Sequence, residues 1–159
     1  GDTINMPIGE PQDPFPAVVP EVLARSVGEF SKYPANEGAP ELLAAICGWI
    51  TRRYSVDLTP NRVMVLNGTR EGLYNAAMAL CPEVKNGKQP VVLVPNPFYQ
   101  VYAIAALSVN AEPVMVPATA TTGHLPDYAS LPVDVLDRTT IAYICSPANP
   151  QGAVASREY

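Results

Sequence analysis

The sequence predicts an α/β fold, with a mostly parallel sheet flanked by helices, on three observations. Short apolar runs alternate along the chain with segments of helical period. Pro90-Val91-Val92-Leu93-Val94-Pro95 is uniformly apolar, the pattern of a strand covered on both faces. Val63-Met64-Val65-Leu66 is an apolar run that stops at Asn67-Gly68 and restarts at helical spacing through Leu73 and Tyr74, which reads as a strand feeding a helix through a tight turn.

That turn is also the first candidate site. The first turn of a helix leaves backbone N–H groups without partners and carries the positive end of the helix dipole, so it suits an anion such as phosphate. Gly68 lets the backbone approach a ligand closely, Thr69 offers a hydroxyl and Arg70 a charge-assisted bond. Taken alone, the same residues also serve as a plain strand-to-helix connection.

The elements follow in order. Residues 2 to 16 hold Pro7, Pro11, Pro14 and Pro16 and form an extended arm carrying Ile4, Met6, Ile8 and Phe15. From Pro20, a residue suited to a first helical turn, Val22, Leu23, Ser26, Val27 and Phe30 have helical period. Tyr33 to Gly38 is a loop, and a helix over 40–54 presents Leu42, Leu43, Ile46, Trp49 and Ile50 on one face. The helix that begins after Gly68 runs to Cys81-Pro82, and Glu83 to Gln89 is a polar surface loop. After the buried strand come Asn96-Pro97-Phe98-Tyr99 and a helix of small residues through Tyr102, Ala105, Ala106 and Leu107. Glu112 to Val116 is a strand, Pro117 to Pro126 a long loop, Tyr128 to Leu136 a short helical piece and Thr139 to Cys145 a strand. Ser146 to Gly152 is a turn, and Ser156 is placed to cap a further helix.

Composition bounds the function. A chain of 159 residues with net charge −5 argues against nucleic acid or an anionic membrane as the main partner. Apolar residues make up 48%, a surplus that points to buried interfaces. Cys47, Cys81 and Cys145 lie in apolar contexts with no CxxC pair, so they read as buried thiols rather than a disulfide framework or metal site. No apolar span reaches membrane length and no signal peptide opens the chain, so a cytoplasmic location is expected.

Alternation of strands and helices implies crossover connections and a ligand crevice outside the carboxyl ends of the strands. Gly68 to Arg70, Phe98-Tyr99 and Asn149 each follow the expected end of a different strand, so they converge on one crevice.

The set Ile8-Gly9-Glu10-Pro11, Tyr33 to Gly38, Asn67-Gly68-Thr69-Arg70, Pro97 to Tyr102 and Ser146-Pro147-Ala148-Asn149-Pro150-Gln151-Gly152 resembles the class I/II aminotransferases, fold-type-I enzymes that use pyridoxal 5′-phosphate. The match runs in order over essentially the whole chain. Within the family, the wording most resembles the bacterial branch acting on N-succinyl-L,L-diaminopimelate in lysine and cell-wall synthesis. The resemblance implies roles residue by residue. Gly68, Thr69 and Arg70 match the phosphate cradle, Tyr99 the aromatic stacked on the pyridine ring, and Asn149 the donor to the cofactor's 3′-oxygen. Tyr33 matches the tyrosine that reaches the phosphate from a neighbouring subunit, which implies a homodimer with shared sites. Ile8 and Gly9 match an arm segment that closes over an amino- or keto-acid substrate. His124, the only histidine, receives no role and reads as part of a solvated loop.

Departures from the family pattern carry as much weight. The chemistry needs a lysine that binds the cofactor and moves the α-proton, and a carboxylate beside the pyridine nitrogen. The chain's lysines are Lys32, Lys85 and Lys88, and none matches the family's catalytic lysine, whose place lies beyond Tyr159. The chain is therefore expected to be the N-terminal part of an aminotransferase. Residues 1–54 form the arm and helices of the small domain and interface, and 55–159 the first part of the large cofactor domain, inactive alone. A carbon–sulfur lyase or decarboxylase of the same fold type, or a noncatalytic α/β domain binding a ligand or partner, remain the alternatives.

Overall fold

The computed structural model describes residues 3, 9 and 13–159. They fall into two compact units, one up to Val65 and one from Leu66 to Tyr159.

The first unit is helical. Helix α1 spans Val18–Ser26 and passes into a 3-10 turn over Val27–Ser31. It thus starts two residues before Pro20 and tightens where a continuous helix was expected. None of its residues is buried, and Val22, Leu23, Val27 and Phe30 are all exposed. Helix α2 spans Pro40–Tyr54, the expected bounds, with a proline in the first turn and Ser55 in the left-handed region closing its end. Its inward stripe is Leu43, Ile46, Cys47 and Ile50, whereas Leu42 and Trp49 are exposed, so the buried face is narrower than the apolar residues alone suggested. Gly38 has φ +106°, and a Cβ there would come within 2.5 Å of Val65 Cγ2, so both conformation and space require glycine.

The second unit holds the sheet: β1 Val91–Asn96, β2 Glu112–Pro117 and β3 Thr139–Ala142, all parallel, in the order β2-β1-β3. β1 is central, and Val91 to Pro95 are buried, which is why its sequence is apolar without alternation. The β2 register runs from Val91 opposite Glu112 to Asn96 opposite Pro117. The β3 ladder ends near Leu93, where the Tyr143 N–H donates to the Leu93 carbonyl at 3.0 Å. Main-chain groups of Val91 and Leu93 serve β3, while those of Pro90 and Asn96 serve β2. Pro95 therefore turns its missing N–H toward β3 beyond the end of that ladder, and a proline is tolerated in a central strand.

Helices α3 (Thr69–Leu80), α4 (Val101–Ser108) and α5 (Val133–Arg138) flank the sheet. Ala77, Ala105 and Ala106 are fully buried, and these small side chains bring α3 and α4 together. The main apolar cluster joins Val92 and Val94 of β1 to Val101, Tyr102 and Ala106 of α4 and to Tyr143. At the amino end of the sheet, Arg138 bridges Glu112 at 2.7 Å and Asp134 at 3.3 Å, and Lys88 pairs with Asp134.

Several expectations need correction. Val63 to Leu66 forms no strand among the described residues: Val63 is extended, but the run shares no ladder with the three-stranded sheet. The helical piece expected over Tyr128 to Leu136 is split into a 3-10 turn at Tyr128–Ser130 and α5, because Pro132 interrupts it. β3 is shorter than expected, ending at Ala142. Within the polar loop, Asn86 and Gly87 both take positive φ and close a tight hairpin between Lys85 and Lys88. Only Cys47 of the three cysteines is buried; Cys81 and Cys145 are half-buried, and all are free thiols. Among the described residues no helix is long and apolar enough to cross a membrane, and no cluster of candidate metal ligands occurs.

Candidate functional site

The site is built at the carboxyl end of β1. Its first wall is the start of α3. Gly68 occupies the cap position with φ +100° and ψ 155°, a conformation essentially reserved for glycine, and nothing lies within 4 Å of where its Cβ would be. No side chain caps the helix. The Glu71 carboxylate accepts instead from the Asn67 N–H at 2.6 Å, which braces the turn from the preceding residue. The first-turn N–H groups of α3 thus meet no side-chain acceptor and face a glycine with open space beside it.

The second wall follows β1. Asn96–Pro97 is a cis peptide, and Tyr99 comes two residues later, just before α4. The structure brings Tyr99 to the α3 start directly. Arg70 Nε donates to the Tyr99 hydroxyl at 2.5 Å, and the guanidinium lies over the Tyr99 ring, 5.2 Å from its centroid.

The third wall follows β3. Ser146–Pro147 and Asn149–Pro150 are cis, and the loop closes on itself through Ala148 N–H to the Ala153 carbonyl at 2.7 Å and Gly152 N–H to the Ala148 carbonyl at 2.6 Å. The Ser146 hydroxyl accepts from the Ala155 N–H at 3.0 Å. This holds Asn149 in a small cavity with Pro95, Pro97, Cys145 and His124, beside the carboxyl end of β1. Gln151 lines the same cavity, and its side-chain oxygen is buried without a hydrogen-bond partner. His124, with φ 60°, is exposed where it borders this cavity.

Two of the three expected groups, Arg70 and Tyr99, are therefore in contact, and Asn149 stands against the strand end that leads into Tyr99. Tyr33 and Gly9 belong to the first unit and are exposed, and Ile8 lies outside the described residues. Lys85 and Lys88 are engaged at the amino end of the sheet. Lys85 Nζ donates to the Thr139 carbonyl at the start of β3, and Lys88 pairs with Asp134. Lys32 is exposed beside Glu29 at 3.9 Å.

Sequence reasoning assigned nothing to the tyrosines behind the site. Tyr102 is 6% and Tyr143 5% exposed, and their rings stack with centroids 4.4 Å apart and planes 15° apart. Burial, reinforced by Cys145 and the adjacent tyrosines, pushes the Tyr102 hydroxyl above its ordinary pKa, and burial then Cys81 do the same for Tyr143. The available signal was the spacing of Tyr99 and Tyr102, three apart and thus on one face of a helix start.

Comparison with known proteins fits this architecture. The family model for aminotransferase class I and II matches residues 1–159. The LL-diaminopimelate aminotransferases of Desulforudis audaxviator and Moorella thermoacetica are 37% and 38% identical over 161 aligned positions, covering 99% of this chain and 40% of each relative. An aminotransferase from Neisseria meningitidis superposes with a TM-score of 0.88 at 35% identity, over 95% of this chain and 38% of that one. An aspartate aminotransferase from Thermotoga maritima gives 0.82 at 30% identity, over 99% and 41%. The chain spans about two fifths of the length of the curated relatives it matches. With the family model matching throughout, the chain belongs to the class I and II aminotransferases, a family that depends on pyridoxal 5′-phosphate.

Proposed function

We propose that this chain is the cofactor-gripping, N-terminal part of a pyridoxal-phosphate aminotransferase. The observation that carries the reading is the Arg70–Tyr99 contact, which sets a cation at an uncapped helix N-terminus against an aromatic ring at the end of the central strand. The residues fit the cofactor's chemistry. Open first-turn N–H groups, Gly68, the Thr69 hydroxyl and Arg70 suit a dianionic phosphate, Tyr99 offers a flat π-face, and the Asn149 amide offers a donor near Pro95 and Pro97 at the end of β1.

When bound, pyridoxal phosphate supplies an electron sink for loss of a proton from the substrate α-carbon. The residues of this chain bind and orient. The α3 N-terminus and Arg70 would hold the phosphate, Tyr99 would lie against the ring, and the Asn149 amide would donate to the 3′-oxygen. Lys85 and Lys88 are engaged with Thr139 and Asp134 at the amino end of the sheet. None of the three lysines matches the family's catalytic lysine, so the amine that moves the α-proton is assigned to residues outside these 159. These residues alone then bind cofactor without transaminating. Tyr33, fully exposed on its own unit, is free to serve a neighbouring subunit, and the exposed apolar side chains of α1 support a homodimer.

In the whole protein, the proposed reaction moves an amino group between glutamate and a diaminopimelate-type keto acid. The names of the relatives support L,L-diaminopimelate itself, whereas the sequence wording supports its N-succinyl form. Full-length protein is assayed with both amino donors and 2-oxoglutarate, glutamate being measured as product. Glutamate from one donor and not the other fixes the substrate. Pyruvate and ammonia released with a thiol from a cysteine thioether, or carbon dioxide released from an amino acid, with no glutamate formed, would show a carbon–sulfur lyase or decarboxylase instead.

A further inference from the structure

Arg70 is not the only connection between Tyr99 and α3. Tyr102 meets the Tyr99 ring edge-on, with centroids 5.9 Å apart and planes at 85°, and stacks on Tyr143. The Tyr143 hydroxyl donates to the Leu73 carbonyl of α3 at 2.7 Å. Tyr143 is itself fixed from two directions. Its N–H donates to Leu93 of β1 at 3.0 Å, and its carbonyl accepts from the Tyr128 hydroxyl at 2.6 Å. Leu73 lies three residues beyond Arg70 on the same helix. The contacts close a circuit that runs Arg70, Tyr99, Tyr102, Tyr143, Leu73 and back along α3 to Arg70.

Filling space does not require this arrangement. A phenylalanine would occupy nearly the same volume as Tyr143 without the cost of carrying a hydroxyl into the core. The carbonyl that receives the hydroxyl lies inside a helix whose own ladder already engages such groups. What the bond adds is a tie between α3 and the segment after β3, one turn behind the phosphate-facing residues.

We propose that Tyr102 and Tyr143 are positioning residues that lock the N-terminus of α3 and the Tyr99 ring into one frame, so that phosphate and pyridine ring are gripped together. The inference rests on the reading of Gly68 to Arg70 and Tyr99 as cofactor residues. Its consequence is separable by ligand: loosening the tie through Leu73 misplaces the phosphate end, and removing the Tyr102 ring frees the Tyr99 end.

The test is cofactor titration of full-length wild-type, Tyr143→Phe, Tyr102→Phe and Tyr102→Leu proteins, followed by absorbance and induced circular dichroism. Pyridoxal phosphate and pyridoxal, which lacks the phosphate, are the two probes. Loss of one hydrogen bond in Tyr143→Phe is expected to weaken pyridoxal phosphate about fivefold while leaving pyridoxal within about twofold of wild type. Tyr102→Phe, which keeps the ring, is expected to match wild type, and Tyr102→Leu to lose cofactor dichroism. Tyr143→Phe binding pyridoxal phosphate as wild type does, or losing both probes equally, overturns the proposal, as does equal dichroism in Tyr102→Leu and Tyr102→Phe. Should Tyr102→Leu fail to fold, the two phenylalanine variants decide. Folded wild-type protein that binds no pyridoxal phosphate removes the underlying reading and this inference with it, whereas binding by wild type with unaltered variants removes this inference alone.

Discussion

Arg70 and Tyr99, 29 residues apart in sequence, are joined by a hydrogen bond of 2.5 Å with the guanidinium over the ring. One residue belongs to the start of α3 and the other to the loop leaving the central strand. Their pairing converts two weak motifs into one surface. Tyr99→Phe keeps the ring and loses the hydroxyl, whereas Tyr99→Ala loses both. The phenylalanine variant is expected to cost about 1 kcal/mol of cofactor binding and the alanine variant about 1 kcal/mol more, from hydrogen-bond and aromatic contributions respectively. Titration of both with pyridoxal phosphate checks the order; equal affinities would remove Tyr99 from the site.

Gly68 carries a backbone conformation that L-residues avoid, with open space around the missing Cβ. The cost of Gly68→Ala is therefore conformational rather than steric, about 1–3 kcal/mol. Urea unfolding is expected to show that loss, unless the turn relaxes. In that case stability is kept and cofactor affinity falls, because the α3 N–H groups have moved. A variant unchanged in both would show that the turn is merely a connection.

At the opposite end of the sheet, the Lys88 hydrogen bond first, and then Arg138, hold the Asp134 carboxyl below its ordinary value of 3.8. A depressed carboxylate pKa contributes stability that is present above the unfolded value and is lost as pH falls through the folded one. Wild-type protein is thus expected to lose stability below about pH 4, and Asp134→Asn to have a flatter acid limb. Urea midpoints of the two between pH 5 and pH 2 provide the comparison; parallel curves would show that the network is too solvated to matter.

Burial pushes the hydroxyls of Tyr102, Tyr128 and Tyr143 above the ordinary tyrosine value of 10.0. For Tyr128 the nearby Tyr159 adds to the effect. A raised folded pKa contributes stability that is fully present below the unfolded value and is lost as pH climbs toward the folded one. Ultraviolet titration above pH 10 is expected to show Tyr102, Tyr128 and Tyr143 ionising together as the fold is lost. A single smooth titration of all tyrosines with the fold intact would contradict the packing of Tyr102 on Tyr143.

Much of this was legible in the residues. The bounds of α2 and α3, the buried β1 and the short β2 follow from apolar periodicity, proline and glycine, which act locally. Gly68 and Asn149 stood out for the same reason, since turn chemistry leaves its mark within a few residues. Val63 to Leu66 shows the limit of such reading. Its sequence describes a strand, but a ladder is a property of two chains side by side.

By itself, the sequence determined the α/β class and the family, and it singled out Gly68, Thr69, Arg70, Tyr99 and Asn149 as candidates. Only the tertiary structure decided which residues meet. Leu42 and Trp49 are exposed where Leu43 and Cys47 are buried, because helix orientation rather than hydrophobicity selects the inward stripe. Arg70 on Tyr99, Tyr102 on Tyr143 and Tyr143 on Leu73 join positions 29, 41 and 70 residues apart. No local pattern encodes such separations. They arise when a parallel sheet brings successive strand ends to one edge, where packing places buried tyrosine rings and hydroxyls against the helices that start there.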